Sequence, residues 1–205
     1  MPLPLESVPN VSEGRDAITI ETLGRAFGSR ARLLDVHSDL DHHRSVFTLV
    51  GGGEELVGSL LAGIAAAAER IDLREHEGAH PRIGAADVVP LVPLEPEAEP
   101  EAREAALELA GRVGSELGLP VFLYGRLTED GLEPAFFRRD GPEGLQRRID
   151  AGELRPDRGP DRLHPSAGGV LVGVRRPLVA FNVNLRSDDV EAARAIAGLV
   201  RERDG

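Results

Sequence analysis

The sequence predicts an α+β protein of the ferredoxin-like, split-βαβ kind: a sandwich of an antiparallel-rich sheet with helices on one face. Three features predict it. Segments in the first half follow the order β-α-β-β-α-β. Two of these segments carry apolar faces at helical spacing, while the others are short and strand-like. Turn residues separate them, notably Gly51-Gly52-Gly53.

The elements follow in order. Residues 3–8 form a short apolar strand ending at Pro9-Asn10. Ser12-Glu13-Gly14 supplies N-cap chemistry for a helix over 15–27, with Gly28 beyond its end. Residues 33–38 and 44–50 are strands, joined by the polar loop 39–43. A helix over 54–72 places Leu56, Leu60, Ile64 and Ala68 on one face. A polar loop fills 73–84, and 86–94 is a strand whose Pro90 marks it as an edge or a strand end. The acidic stretch 95–101 is a connector, 102–117 a helix and 121–124 a strand. Residues 125–165 read as long loops around a short helix at 143–149, a length usually tied to function or mobility. Strands at 169–174 and 178–185 and a helix over 188–203 close the chain.

Composition excludes whole classes of chemistry. The chain has 205 residues and a net charge of −11, and all 24 basic residues are Arg. Without Lys there is no Schiff-base catalysis and no P-loop lysine. Without Cys there is no disulfide, thiol nucleophile or cysteine-held metal. Aromatics at 3% and an acidic balance argue against nucleic acid. The start of the chain lacks the basic and apolar pattern of a signal peptide. The longest apolar stretch, 56–68, is too short to span a bilayer. The expected setting is the cytoplasm, with no membrane partner.

Four segments carry candidate chemistry. His76-Glu77-Gly78-Ala79-His80 matches H-E-x-x-H, but a zincin needs both histidines on one helix. Gly78 and Pro81 oppose a helix there, and Ile83 and Ala86 stand where a metzincin needs Gly and His. The overlapping His80-Pro81-Arg82-Ile83-Gly84 sets an imidazole beside a guanidinium, a proton shuttle next to a carboxylate holder. Taken alone, that loop is more often a solvated histidine with a structural arginine. Asp35, His37, Asp39, Asp41, His42, His43 and Arg44 form a polar group that fits a metal site, a substrate site or a plain hairpin loop. His164-Pro165-Ser166-Ala167-Gly168-Gly169 permits close backbone approach to a ligand, or a tight bend. The pairs 138/139, 147/148 and 175/176 attract anions or sit in ion pairs.

Taken together these segments resemble the glutamate formimidoyltransferase family, in particular the N-terminal subdomain of its transferase region. Val8-Pro9-Asn10-Val11-Ser12-Glu13-Gly14 is similar to the family's opening V-P-N-x-S-E-G. His76-x-Gly78-x-His80-Pro81-Arg82-Ile83-Gly84-Ala85-x-Asp87-Val88 resembles its central H-x-G-x-H-P-R-x-G-A-x-D-V. Pro120-Val121-Phe122-Leu123-Tyr124-Gly125 resembles its P-V-x-L-Y-G strand. Gly159-Pro160 with His164-Pro165-Ser166-Ala167-Gly168 is similar to its folate segment, and Ala180-Phe181-Asn182-Val183-Asn184-Leu185 to its A-F-N-x-N-L.

The resemblance implies transfer of a formimino group from N-formimino-L-glutamate to tetrahydrofolate, in histidine degradation, without a metal. It implies His80 as general acid/base and Asn10, Asp39, Arg44 and Arg82 as substrate-binding residues. It places Gly159, Pro160, Asp161, Arg162, Leu163, His164, Pro165, Ser166, Ala167 and Gly168 on the folate. Two residues depart from the family pattern: His37 stands where it usually has Asp, and His43 where it usually has Asn. The implied division is a transferase N-terminal subdomain over 1–176 and, over 177–205, the start of a truncated or absent second subdomain. A homodimer partner or a separate chain then supplies the second half. The rival reading is a non-catalytic folate-binding or assembly half-domain, and a third is a His/Asp metal hydrolase.

Overall fold

The computed structural model describes residues 4–178 and 185–200. Its organising element is a strand in two pieces. β1 (Leu5–Ser7) and β2 (Asn10–Val11) lie between the same neighbours, β4 (Arg44–Gly51) and β5 (Ala86–Pro93). Pro9 has no N–H to donate, so the ladder breaks there; its carbonyl still accepts from Phe47 N at 3.0 Å.

β3 (Arg32–Asp39) pairs with β4 at one edge, with a bulge between Leu33 and Asp35. At the other side β7 (Val170–Val174) pairs with β5, and β6 (Val121–Gly125) with β7. The spatial order is β3-β4-β1/β2-β5-β7-β6. The outer edge of β6 is covered by its own chain. Val121 N donates to Arg158 O, Gly125 N to Leu132 O and Leu123 N to Asp157 Oδ2, at 2.9, 2.7 and 2.8 Å.

The sheet is mixed, where an antiparallel-rich one was expected. β5–β7 and β7–β6 are parallel, because long crossover connections join these strands in place of hairpins. One crossover is α3 (Glu99–Glu116); the other holds α4 (Pro134–Phe137) and α5 (Gly141–Asp150). Nor do the helices share one face. α1 (Ala17–Phe27), α2 (Gly53–Arg70) and α3 pack on one side, over Phe47, Leu49, Val89, Leu91, Leu123 and Val172. Phe137, Leu145 and Ile149 of α4 and α5 pack on the other, against Val88, Phe122, Tyr124 and Leu171. Period-2 alternation in β6 and β7 feeds both cores.

β5 is central, not an edge, and all eight of its residues are buried. Pro90 is tolerated because it lies opposite the break between β1 and β2: Leu91 registers with Ser7 and Val88 with Asn10. Ser7 Oγ donates to Pro90 O at 2.7 Å. Helix ends shift as well. Asp16 caps α1 by accepting from Ile18 N and Thr19 N, which frees Ser12 for another task. α3 starts at Glu99, within the expected connector, because Pro100 suits a first helical turn. The strand expected at 178–185 falls largely outside the described residues, and the last helix, α6, spans Val190–Val200.

Two glycines stitch the loop before β5 to the segment before β7. Ala85 N donates to Ala167 O and Gly169 N to Ile83 O, each at 2.9 Å. A Cβ on Gly84 would stand 1.9 Å from Gly169 O, and one on Gly168, at φ +69°, 2.0 Å from Ile83 O. Both obstacles are backbone, so neither yields easily. Gly84→Ala is expected to lower stability by about 2 kcal/mol or more, read as a fall in the urea midpoint at unchanged slope.

Candidate functional site

The site grows from one carboxylate. Asp87, the second residue of β5, is completely buried. Its Oδ1 accepts from Ile83 N at 2.8 Å, which fixes the loop that carries His80. Its Oδ2 accepts from Arg44 Nη1 at 2.8 Å and from Arg138 Nη2 at 2.6 Å. Burial pushes the Asp87 carboxyl up, but Arg138, Arg44 and the Ile83 amide outweigh it, and the group lies below the usual range. Arg44, at the start of β4, also donates from Nε to Asn10 Oδ1 at 3.0 Å. Asn10 is held in turn by Nδ2 on Val8 O, at the break in the first strand.

His80 stands beside this assembly. Its Nδ1 is buried and has no hydrogen-bond partner among the described residues. Burial, then the charges of Arg44 and Arg138, pull its pKa from 6.5 down to about 4. The imidazole is therefore neutral at pH 7 and able to accept a proton.

Arg82 is spent on backbone. It donates from Nε to His80 O at 3.0 Å and from Nη2 to His42 O at 3.1 Å, and its Nη1 is 2.6 Å from both His76 ring nitrogens. It clips the 76–82 loop to the 40–43 turn. His76 stacks on His43 with ring centroids 4.1 Å apart. Burial, then Arg82, holds His76 down at about 4, so the stack is uncharged.

Asp39 serves its own turn. Oδ1 accepts from the amides of Asp41 and His42 at 2.9 and 2.8 Å, and Oδ2 is 3.1 Å from His42 Nδ1. The His42 ring meets His80 edge-on, with centroids 6.0 Å apart. Thus Asp39 touches His42, and His42 approaches His80. His43 has φ +48°, a left-handed conformation in which Asn is enriched. That accounts for Asn being usual at this place in the resembled family. His43 Nδ1 accepts from Gly14 N at 3.0 Å. His37 is exposed on β3, opposite Val46.

Residues 76–80 are not helical, and the two histidines of the H-E-x-x-H pattern face different partners. Ser12, freed from capping, donates from Oγ to Gly84 O at 2.8 Å and anchors the far end of the His80 loop.

The 159–168 segment divides in three. Gly159 packs closely on the Leu119 and Gly114 backbone, and Pro160 and Asp161 beside it are exposed. Arg162, Leu163, His164, Pro165 and Gly168 line a cavity of about 660 Å³ with Gln146 of α5. The Ser166 and Ala167 carbonyls accept from Leu73 N and Ala85 N at 2.8 and 2.9 Å, and Ala167 is buried. A larger cavity, about 940 Å³, lies between α1 and β3 and holds none of His80, Arg44, Asp87 or Arg138.

The structure thus gathers Asn10, Arg44 and His80 in one centre, sets Arg82 behind it, and leaves Asp39 one histidine away. Asp87 and Arg138 complete the centre, and sequence reasoning did not single them out. Asp87 stood inside a quoted motif without a role. Arg138 is 51 residues from Asp87, and only its pairing with Arg139 marked it.

The fold and centre define the class only broadly, as a mixed α/β protein that sets a histidine beside two arginines paired on a buried carboxylate. The comparisons narrow it. Residues 4–175 match the model of the formiminotransferase domain, N-terminal subdomain. The chain is 40% identical over 207 residues to a protein of Thermoplasma acidophilum named glutamate formimidoyltransferase, covering 98% of this chain and 68% of that one. A protein of the same name from Streptococcus pyogenes serotype M1 is 38% identical over 205 residues, with 98% and 69% covered. The formimidoyltransferase-cyclodeaminase of Sus scrofa is 36% identical over 205 residues, with 98% and 38% covered. The chain belongs to the formiminotransferase family.

Two outcomes are expected here. Asp87→Asn leaves two buried guanidinia without their counter-charge and should cost about 3–5 kcal/mol in denaturant unfolding. His76 and His80 have folded pKa values below the unfolded 6.5, so the unfolded chain binds more protons between pH 6.5 and 4. Stability present above pH 6.5 is lost as pH falls toward 4, and His76→Gln should flatten that slope in a Tm-against-pH series.

Proposed function

We propose that this chain transfers the formimino group of N-formimino-L-glutamate to tetrahydrofolate, with His80 as general acid/base. One observation carries the reading: a neutral imidazole with a free, buried Nδ1 beside Arg44 and Arg138. The folate N5 amine attacks the formimino carbon, and His80 takes the proton that N5 loses. The tetrahedral intermediate then expels glutamate as His80 returns that proton to the departing nitrogen. A single positioned base contributes about 10²–10⁴-fold in such a step. Asn10 and Arg44 hold the donor, Arg82 positions the His80 loop, and Asp39 orients His42 toward His80. The cavity beside Arg162–Pro165 takes the folate, in register with His80 through the 83–85 and 167–169 pairing.

The same proposal reads 1–176 as the N-terminal subdomain and 177–205 as the beginning of a second. In support, the stretch matched here covers 69% and 68% of the two glutamate formimidoyltransferases above, so part of each lies outside it. A homodimer partner or a separate chain supplies the second half and completes the folate site. The β1/β2-α1-β3-β4-α2-β5 unit is read as ferredoxin-like on its strand order, β3-β4-β1/β2-β5. A cytoplasmic setting accords with the cysteine-free sequence.

The test is formation of 5-formiminotetrahydrofolate. His80→Ala is expected to lower kcat/KM by about 10²–10⁴-fold, with an acidic limb in the wild type well below pH 6.5. No wild-type turnover, or an active variant, overturns the reading. His37, standing where the family usually has Asp, favours one rival, a folate-binding half-domain without catalysis. That rival gives folinate binding by calorimetry with no turnover.

A further inference from the structure

Asp87 carries more positive charge than it balances. Arg44 and Arg138 both bind its Oδ2, and their side chains are only 10% and 14% exposed. Arg82 adds a third guanidinium with no carboxylate partner among the described residues. The nearby Glu13 is taken: its Oε1 accepts from the amides of Arg15 and Asp16 and lies 3.4 Å from His43. In a chain of net charge −11 this centre is locally cationic.

An uncompensated buried charge is costly, and a bound anion removes the cost. Unused donors show where it would sit. Arg44 spends Nε on Asn10 and Nη1 on Asp87, which leaves Nη2. Arg138 spends only Nη2; its Nη1 has no acceptor among the described residues, and neither does its buried Nε. Asp87 holds the two guanidinia as a fixed pair, and both act electrostatically on the neighbouring His80.

We propose that Arg138 and Arg44, paired across Asp87, form a seat for one carboxylate of the amino-dicarboxylate donor, which makes Arg138 a residue that determines donor specificity. This inference rests on the transfer reading above. The folate tail offers the same carboxylate chemistry, so both substrates are measured.

The experiment compares wild type, Arg138→Gln and Arg138→Lys in steady-state assays and in calorimetry with L-glutamate. For Arg138→Gln the donor KM rises roughly 30–100-fold, with kcat within about threefold and the tetrahydrofolate KM within about twofold. L-Glutamate binding weakens by a similar factor, and Lys restores part of it. Wild type discriminates against a donor carrying one carboxylate as its amide, and Arg138→Gln loses that discrimination. A loss of kcat at unchanged donor KM makes Arg138 a mere brace and overturns the proposal. A rise in the tetrahydrofolate KM in place of the donor KM overturns it too. A chain that binds L-glutamate through Arg138 yet transfers nothing sinks the transfer reading and leaves the seat standing.

Discussion

The buried Asp87 carboxylate is the constraint on which the centre depends. One group ends the His80 loop, through Ile83 N, and fixes two arginines from distant parts of the chain. An unpaired charge at that depth is strongly unfavourable, so each partner holds the others in place. Asn10, the residue after the break at Pro9, joins through Arg44. His80 makes no hydrogen bond at Nδ1 and owes its lowered basicity to burial and to the surrounding arginines.

A second consequence concerns the two halves of the site. The His80 loop and the 162–168 cavity wall meet through backbone pairing between 83–85 and 167–169. Backbone pairing with glycine at the contact admits little relative movement, so the His80 loop and the cavity wall keep a set geometry.

Much of this was legible in the sequence. The helical spacing of Leu56, Leu60 and Ile64 gave α2, and alternation gave β3 and β4. The motif residues Asn10, Arg44 and His80 do converge. What escaped was non-local. Pro90 reads as an edge signal because its compensation, the break at Pro9, belongs to another strand. A mixed sheet cannot be read from short apolar runs, since β6 and β7 look alike whether paired parallel or antiparallel. The backbone acceptors of Arg82, His42 O and His80 O, come together only in the folded loop pair, so its part in clipping that pair had no local signal. Arg138 had no local pattern to mark it.

The bulge at Leu33–Asp35 bears on how this molecule meets others. The sheet has two outer strands, and they are treated differently. β6 is already hydrogen-bonded along its outer side by residues 132, 157 and 158 of the same chain. Among the described residues β3 has no strand on its outer side, and it is interrupted by the bulge and carries Arg32 and Asp35. Irregularity and charge at an edge discourage indiscriminate strand addition. Among the described residues an open edge is thus confined to β3, and a strand added there would have to match a bulged, charged register.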